Sequence, residues 1–267
     1  MFYFRKKYDK PFIYISAMPR SGSTMLSGLL TIPKASIILS EPGFQRGLFH
    51  NLEQFREIPN SNIETLSKYK GDEKKLVNRF YKKVMPSLLK EYPIVGVKEC
   101  FMQNWKIYEN SFDDVRYIIL ARDPRDVFLS LHDYGRYAEW HKKLWMEKGI
   151  QYIADIHNQI WEEQKSIIAT RKCFLVKYED LCIGKVNLDE IKFFLGINNS
   201  ELGGVDSILK NYQWRQWEIK KHGKDITKNS VYRWKNLDSN SELLDCSMLF
   251  GNILPQSLPY VRKSLND

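Results

Sequence analysis

The apolar run Phe12-Ile-Tyr-Ile-Ser-Ala-Met18 passes directly into Pro19-Arg-Ser-Gly-Ser23 and then into Thr24-Met-Leu-Ser-Gly-Leu-Leu30. An apolar run closed by a Pro/Gly/Ser cluster reads as a buried strand, and the residues after the turn read as a helix. Strand, glycine-containing turn and helix is the opening unit of an α/β fold, so the chain is committed early to a sheet with helices packed on it. At such a turn backbone N–H groups converge on one spot, and a helix start adds positive potential. Ser21, Ser23 and Thr24 add hydroxyls around Gly22, and Arg20 adds a guanidinium. Together these five residues suit a phosphate or sulfate group; the alternative is an ordinary Ser/Gly-rich turn. The residue after Gly22 is Ser23 rather than Lys, so the Walker A pattern is absent and an ATP-hydrolysing machine is disfavoured.

The rest of the chain repeats the alternation. Residues 35–39 read as a second strand ending just before Glu41-Pro42, and residues 51–72 as a polar surface excursion. Leu76, Val77, Phe80, Val84, Leu88 and Leu89 fall at helical spacing over 73–90, with Pro86 set to kink or end that helix. Ile94-Val-Gly-Val97 reads as a short strand followed by Lys98. Val115 to Ala121 is the clearest strand, and Pro124 then stands near a helix start. Residues 135–149 read as a mobile segment and Ile150 to Thr170 as a long amphipathic helix. Cys173-Phe-Leu-Val176 is another strand, and 188–195 a short helix. Strands alternating with helices predict an α/β fold with a central, mostly parallel sheet flanked by helices. No repeat or low-complexity linker divides the 267 residues, so residues 1–267 are expected to form a single domain.

The net charge of +9 favours an anionic partner. No nucleic-acid reader motif accompanies it, so a specific nucleic-acid function is not expected. The four cysteines, Cys100, Cys173, Cys182 and Cys246, form no CxxC pair and meet no histidine at zinc spacing. No metal site is expected, and a reducing compartment, the cytoplasm, is the simpler expectation. No apolar stretch approaches the ~20 residues of a membrane span.

A second motif, Ala121-Arg-Asp-Pro-Arg-Asp-Val-Phe-Leu-Ser130, puts Arg122 at the end of the strong strand and Ser130 about two helical turns further on. Both can reach one phosphate if the strand end bends. Asp123 and Asp126 can cap the new helix, and Arg125 with Asp126 reads as a solvated helix start. Downstream lie Val176-Lys-Tyr-Glu-Asp-Leu181 and Val231-Tyr-Arg-Trp-Lys235. With these four motifs in order, residues 11–237 resemble the sulfotransferase superfamily, whose donor is 3′-phosphoadenosine 5′-phosphosulfate (PAPS). Pro19 to Thr24 resembles its 5′-phosphosulfate loop, Arg122 and Ser130 its 3′-phosphate pair, and the segments at Tyr178 and Arg233 its later donor-binding motifs. The resemblance implies a P-loop-like sulfotransferase fold and metal-independent transfer of SO3, leaving PAP.

It implies further roles. Family members that modify sugars or protein tyrosines carry Arg in the first loop, as at Arg20. In some of them a Glu ending the second strand is the general base, and Glu41 matches that place. Lys98 resembles the family lysine that contacts the transferring group, although the family follows it with an acidic residue and Pro where this chain has Glu99-Cys100. A helix-capping or surface carboxylate is the alternative for Glu41, and a surface lysine for Lys98. Trp214 to Lys235 carries seven Lys/Arg against two Asp/Glu, interleaved with Trp214, Trp217 and Trp234. That segment can close over a nucleotide or bind an anionic acceptor, or it is a charged loop anchored by its tryptophans. The leading expectation is a PAPS-dependent sulfotransferase acting on a hydroxyl, of a carbohydrate rather than a small phenol. A P-loop kinase-like phosphoryl transferase and a non-catalytic nucleotide- or polyanion-binding protein stand as alternatives. His132 and His141 are the next candidates for a base.

Overall fold

The computed structural model describes residues 7–41, 72–100, 105–135, 139–197, 228–241, 243–245 and 247. The expectations for residues 51–71, Trp214, Trp217 and Cys246 lie outside them. Five strands form one parallel sheet with flanking helices: β1 (Phe12–Ala17), β2 (Ser36–Ser40), β3 (Ile94–Glu99), β4 (Val115–Ala121) and β5 (Cys173–Lys177). Their order across the sheet is β2-β3-β1-β4-β5. The chain therefore leaves β1 toward one edge, fills β2 and then β3, and returns to the other side for β4 and β5. A strand order that reverses beside β1 is the topology whose carboxyl ends gather ligands in α/β sheets.

By contacts the chain falls into two compact units, each assembled from interleaved segments. One comprises residues 1–16, 23–118 and 188–225; the other comprises residues 17–22, 119–187 and 226–267. In the first unit β1 pairs with β3 (Ile13 opposite Gly96) and β3 pairs with β2 (Ser40 opposite Lys98). All three strands are buried along their length, which explains their near-continuous apolar runs. A Cβ on Gly96 would stand 2.7 Å from Ile13 and 2.8 Å from the Ile38 side chain, so β3 needs glycine at its centre. Helix α1 (Ser23–Leu29) follows the first loop. Pro86 does not end the helical run, which continues to Glu91. Helix α2 (Glu73–Arg79) widens into a π turn over Phe80–Val84, where Met85 N–H bonds the Phe80 carbonyl, and α3 (Met85–Glu91) resumes with Pro86 in its first turn. Phe12 stacks on Tyr108 and Phe112, at centroid distances of 4.8 and 4.3 Å, and Tyr14 packs against Tyr117, giving an aromatic core under β1.

In the second unit α4 (Pro124–Gly135) buries Val127, Phe128, Leu129 and Leu131 with Ala154 of α5 (Glu139–Thr170), and Trp234, Leu237 and Leu243 pack on that cluster. Two expectations change here. The long helix begins at Glu139 rather than Ile150, so the backbone of 139–149 is helical where a mobile segment is predicted. Its Trp/Lys-rich sequence hides the helical period. Lys98 does not follow its strand but lies within it, because β3 runs on to Glu99. Short α6 (Tyr178–Cys182) follows β5, and the first unit carries α7 (Leu188–Leu195). Among the described residues, no helix is long and apolar enough to cross a membrane.

Candidate active site

The first loop begins with a tight turn in which the Ser21 hydroxyl donates to the Met18 carbonyl at 2.6 Å. Arg20 and Gly22 both hold positive φ, 68° and 86°. Gly22 is required twice over, since a Cβ there would meet the Tyr178 ring at 2.4 Å as well as strain the backbone. Tyr178 thus packs directly on the loop. The second unit contains Ala17 to Gly22, while Ser23 and Thr24 open α1 in the first.

Arg122 ends β4 and is 8% exposed. Its guanidinium donates to the Arg20 carbonyl at 2.6 Å and to the Ser230 carbonyl at 2.7 Å, and it lies 4.3 Å over the Tyr178 ring. Its Nε is buried, with no hydrogen-bond partner among the described residues. Such a donor fits an anion arriving from outside the protein. Arg20 Nε donates to Ser130 Oγ at 3.2 Å, so the pair expected from the second motif is brought together with the loop: Arg122 reaches the Arg20 backbone and Ser130 the Arg20 side chain. The Tyr178 hydroxyl shares a 2.6 Å hydrogen bond with Ser230 Oγ. Burial pushes the Tyr178 phenol up, with Arg122 opposing, so it keeps its proton and can donate.

Arg125 and Asp126 are not a solvated helix start. Arg125 makes a two-pronged pair with Asp123, at 2.9 and 2.6 Å, and lies 3.6 Å over the Trp234 ring. Asp126 is fully buried, and its carboxylate accepts the backbone N–H groups of Tyr232 at 2.5 Å and Trp234 at 3.3 Å. It caps the C-terminal turn Arg233–Asn236 rather than its own helix, whereas Asp123 does cap α4 through the Arg125 N–H at 2.9 Å. Glu179 accepts the Asp123 N–H at 2.7 Å and fixes the same β4–α4 turn. Tyr232 is held at φ 54° by this capping, and Arg233 pairs with Asp133 at 2.6 Å. The sequence offered no signal for Ser230, and Asp126 is separated from Tyr232 by 106 positions.

A second cluster lies in the first unit. Glu41 follows β2 at φ 47°, and its N–H donates to the Lys98 carbonyl at 2.8 Å, extending the β2–β3 ladder by one residue. Lys98 is 1% exposed and donates to Glu41 Oε1 at 2.5 Å; the Glu41 side chain is 36% exposed. A buried ammonium needs such a counter-charge. Lys98 is therefore not a surface lysine, and Glu41 caps no described helix. Cys100 Sγ stands 3.1 Å from the same Oε1 and 3.4 Å from Ser23 Oγ. Among the described residues four non-glycine positions have positive φ; Arg20 and Tyr232 lie in the motifs, and Glu41 is the candidate base. Backbone strain of this kind collects at functional sites.

A model of the sulfotransferase domain family matches residues 10–237. The chain belongs to the sulfotransferase family. Among solved structures it is similar to the sulfotransferase domain of the Synechococcus PCC 7002 olefin synthase, at 18% identity over 95% of this chain and 98% of that one, with a TM-score of 0.52. It is also similar to the sulfotransferase domain from the curacin biosynthetic pathway, at 16% identity over 95% and 100% of the two chains, with a TM-score of 0.55. At these identities the likeness shows the shared sulfotransferase fold. No curated protein matches the chain by sequence.

Burial raises the Asp126 carboxyl above its ordinary 3.8, with Arg122 and the two N–H donors pulling the other way. The folded state then binds more protons than the unfolded state between the ordinary and the raised value, so this group's contribution to stability falls as pH rises through that window. Urea unfolding of wild type and Asp126→Asn from pH 4 to 7 checks this. The stability of wild type relative to the variant should fall with rising pH, and a relative stability that grows would contradict it. Asp126→Ala should cost about 1–3 kcal/mol by leaving N–H donors unsatisfied.

Proposed function

We propose that this sulfotransferase takes PAPS as donor and passes its sulfuryl group to an acceptor hydroxyl, on a carbohydrate in the first instance. The observation that carries the proposal is the convergence of Arg20, Arg122 and Ser130, with the buried Arg122 Nε left without a partner among the described residues. Two guanidinium groups and a hydroxyl around a strained loop suit a phosphate ester. In this reading Arg122 and Ser130 bind the 3′-phosphate and Ser21 to Thr24 the 5′-phosphosulfate. Tyr178 supports the loop, and Arg233 is a further contact to the nucleotide. The absence of a Walker lysine at Ser23 weighs against phosphoryl transfer from ATP.

The chemistry then needs a base and an electrostatic partner for the leaving group. Glu41 takes the acceptor's proton as the acceptor oxygen forms its bond to sulfur and the bond from sulfur to the bridging oxygen of PAP breaks. Lys98 and Arg20 stabilise the negative charge that collects on that oxygen. Arg20 in the first loop and Glu41 after β2 support an acceptor of the carbohydrate or protein-tyrosine kind over a small phenol, by their resemblance to members that modify sugars or protein tyrosines. Residues 1–267 are read as one domain because no repeat or low-complexity linker divides them. The free thiols Cys100, Cys173 and Cys182 accord with a reducing, cytoplasmic setting.

Arg122→Ala should weaken PAP binding by about 1.5–3 kcal/mol, and Ser130→Ala by roughly 0.5–1.5 kcal/mol. Calorimetric titration with PAP and with the same nucleotide lacking its 3′-phosphate checks the assignment, because both losses should largely vanish with the second. Equal losses for the two nucleotides would refute it.

Glu41→Gln keeps the size and hydrogen-bonding capacity of the side chain but cannot take a proton. PAP affinity should barely change while turnover falls roughly 10²–10⁴-fold, read as donor-to-PAP conversion with glycan, phenol and peptide acceptors. Turnover like wild type would move the base elsewhere, with His132 or His141 next in line.

A further inference from the structure

We propose that Cys100 is a positioning residue for Glu41, holding the carboxylate in place when Lys98 turns to the leaving group; this rests on the reading of Glu41 as the base. Lys98 Nζ and Cys100 Sγ address the same carboxylate oxygen, at 2.5 and 3.1 Å, and stand 3.9 Å from each other. One carboxylate oxygen thus accepts from both donors at once, the ammonium and the thiol. Lys98 carries a charge that the departing PAP oxygen will draw toward itself. Once its ammonium is drawn that way, the thiol still donates to Oε1.

Three features fit Cys100 to that task. It is buried, so its orientation is set by packing, whereas Glu41 reaches solvent. Its sulfur also lies 3.4 Å from the hydroxyl of Ser23, the first residue of α1, so the thiol links the end of the first loop to the carboxylate. Burial and the adjacent Glu41 hold the thiol in its protonated, donating form despite Lys98. A proline at this position, as in the family pattern, has no donor to offer. Among the described residues, the charged and polar side chains that face the thiol are Glu41 from the end of β2, Lys98 from β3 and Ser23 from α1.

The test uses the full chain with Cys100→Ala, which removes the donor, and Cys100→Ser, which keeps one. Cys100→Ala should lower kcat roughly 10-fold, the worth of one hydrogen bond to a charged group. It should move the acid limb of the pH–rate profile upward, since the carboxylate loses a donor that favours its anion, and leave PAP affinity unchanged. Cys100→Ser should recover most of the rate. In a Glu41→Gln background Cys100→Ala should cost nothing further, because the two act as a unit. Wild-type kcat and an unmoved acid limb in Cys100→Ala, alongside a slow Glu41→Gln, would overturn the role of Cys100 while leaving the base reading intact. A serine variant as slow as the alanine one would also overturn it, as a packing effect. A Glu41→Gln variant with wild-type turnover would remove the base reading and this proposal with it.

Discussion

The second unit is organised around the guanidinium of Arg122. It is anchored by two backbone carbonyls, those of Arg20 and Ser230, and backed by the Tyr178 ring. Those contacts tie the ends of β1, β4 and β5 and the C-terminal segment to one buried cation. A charge in such a place is tolerated only when it is hydrogen-bonded, and among the described residues that comes from backbone carbonyls rather than from a carboxylate salt bridge. The difference matters for function. A carboxylate partner would neutralise the cation, whereas carbonyls fix its position and leave its charge available to an anion. Asp126 and Glu179 stand close enough to feel Arg122, but both spend their oxygens on backbone N–H groups.

The first unit solves the opposite problem. Lys98, inside a buried strand, is given a true counter-charge in Glu41, and the thiol of Cys100 shares it. Breaking such a pair by removing one partner leaves an uncompensated buried charge, so Lys98 and Glu41 are energetically committed to each other at rest. The positive φ of Glu41 belongs to the same arrangement. The chain turns sharply after β2, and one more ladder hydrogen bond to Lys98 holds the turn. Strain at Arg20, Glu41 and Tyr232 sits at three separate joints, each pinned by hydrogen bonds or packing at its neighbours.

Much of this was legible in the chain itself. β1 and β4 are strands buried in a parallel sheet, which produces unbroken apolar runs, and the loop between β1 and α1 announces itself through Pro19, Gly22 and its hydroxyls. The turn from β4 into α4 that carries Arg122 and Ser130 was legible because it is local, whereas their meeting at Arg20 spans more than a hundred positions. Lys98 was misread at the strand boundary, since a lysine and a glutamate at a strand end look like a loop until their burial is known. Asp126 and Arg125 were misread for a different reason. Their partners, Tyr232 and Trp234, lie more than a hundred positions away, and local charge patterning carries no information about contacts at that separation. Ser230 contributes a carbonyl to Arg122, and a backbone group leaves no mark on residue type.

The central claim is that the Arg20–Arg122–Ser130 cluster recognises a 3′-phosphorylated nucleotide without help from a metal. Thermal unfolding with PAP in EDTA, set against ATP with Mg²⁺, tests it most directly, because a ligand that binds only the native state raises the melting temperature by mass action. PAP should raise it in EDTA, and ATP with Mg²⁺ should leave it near the unliganded value. Stabilisation by ATP with Mg²⁺ and none by PAP would contradict the account.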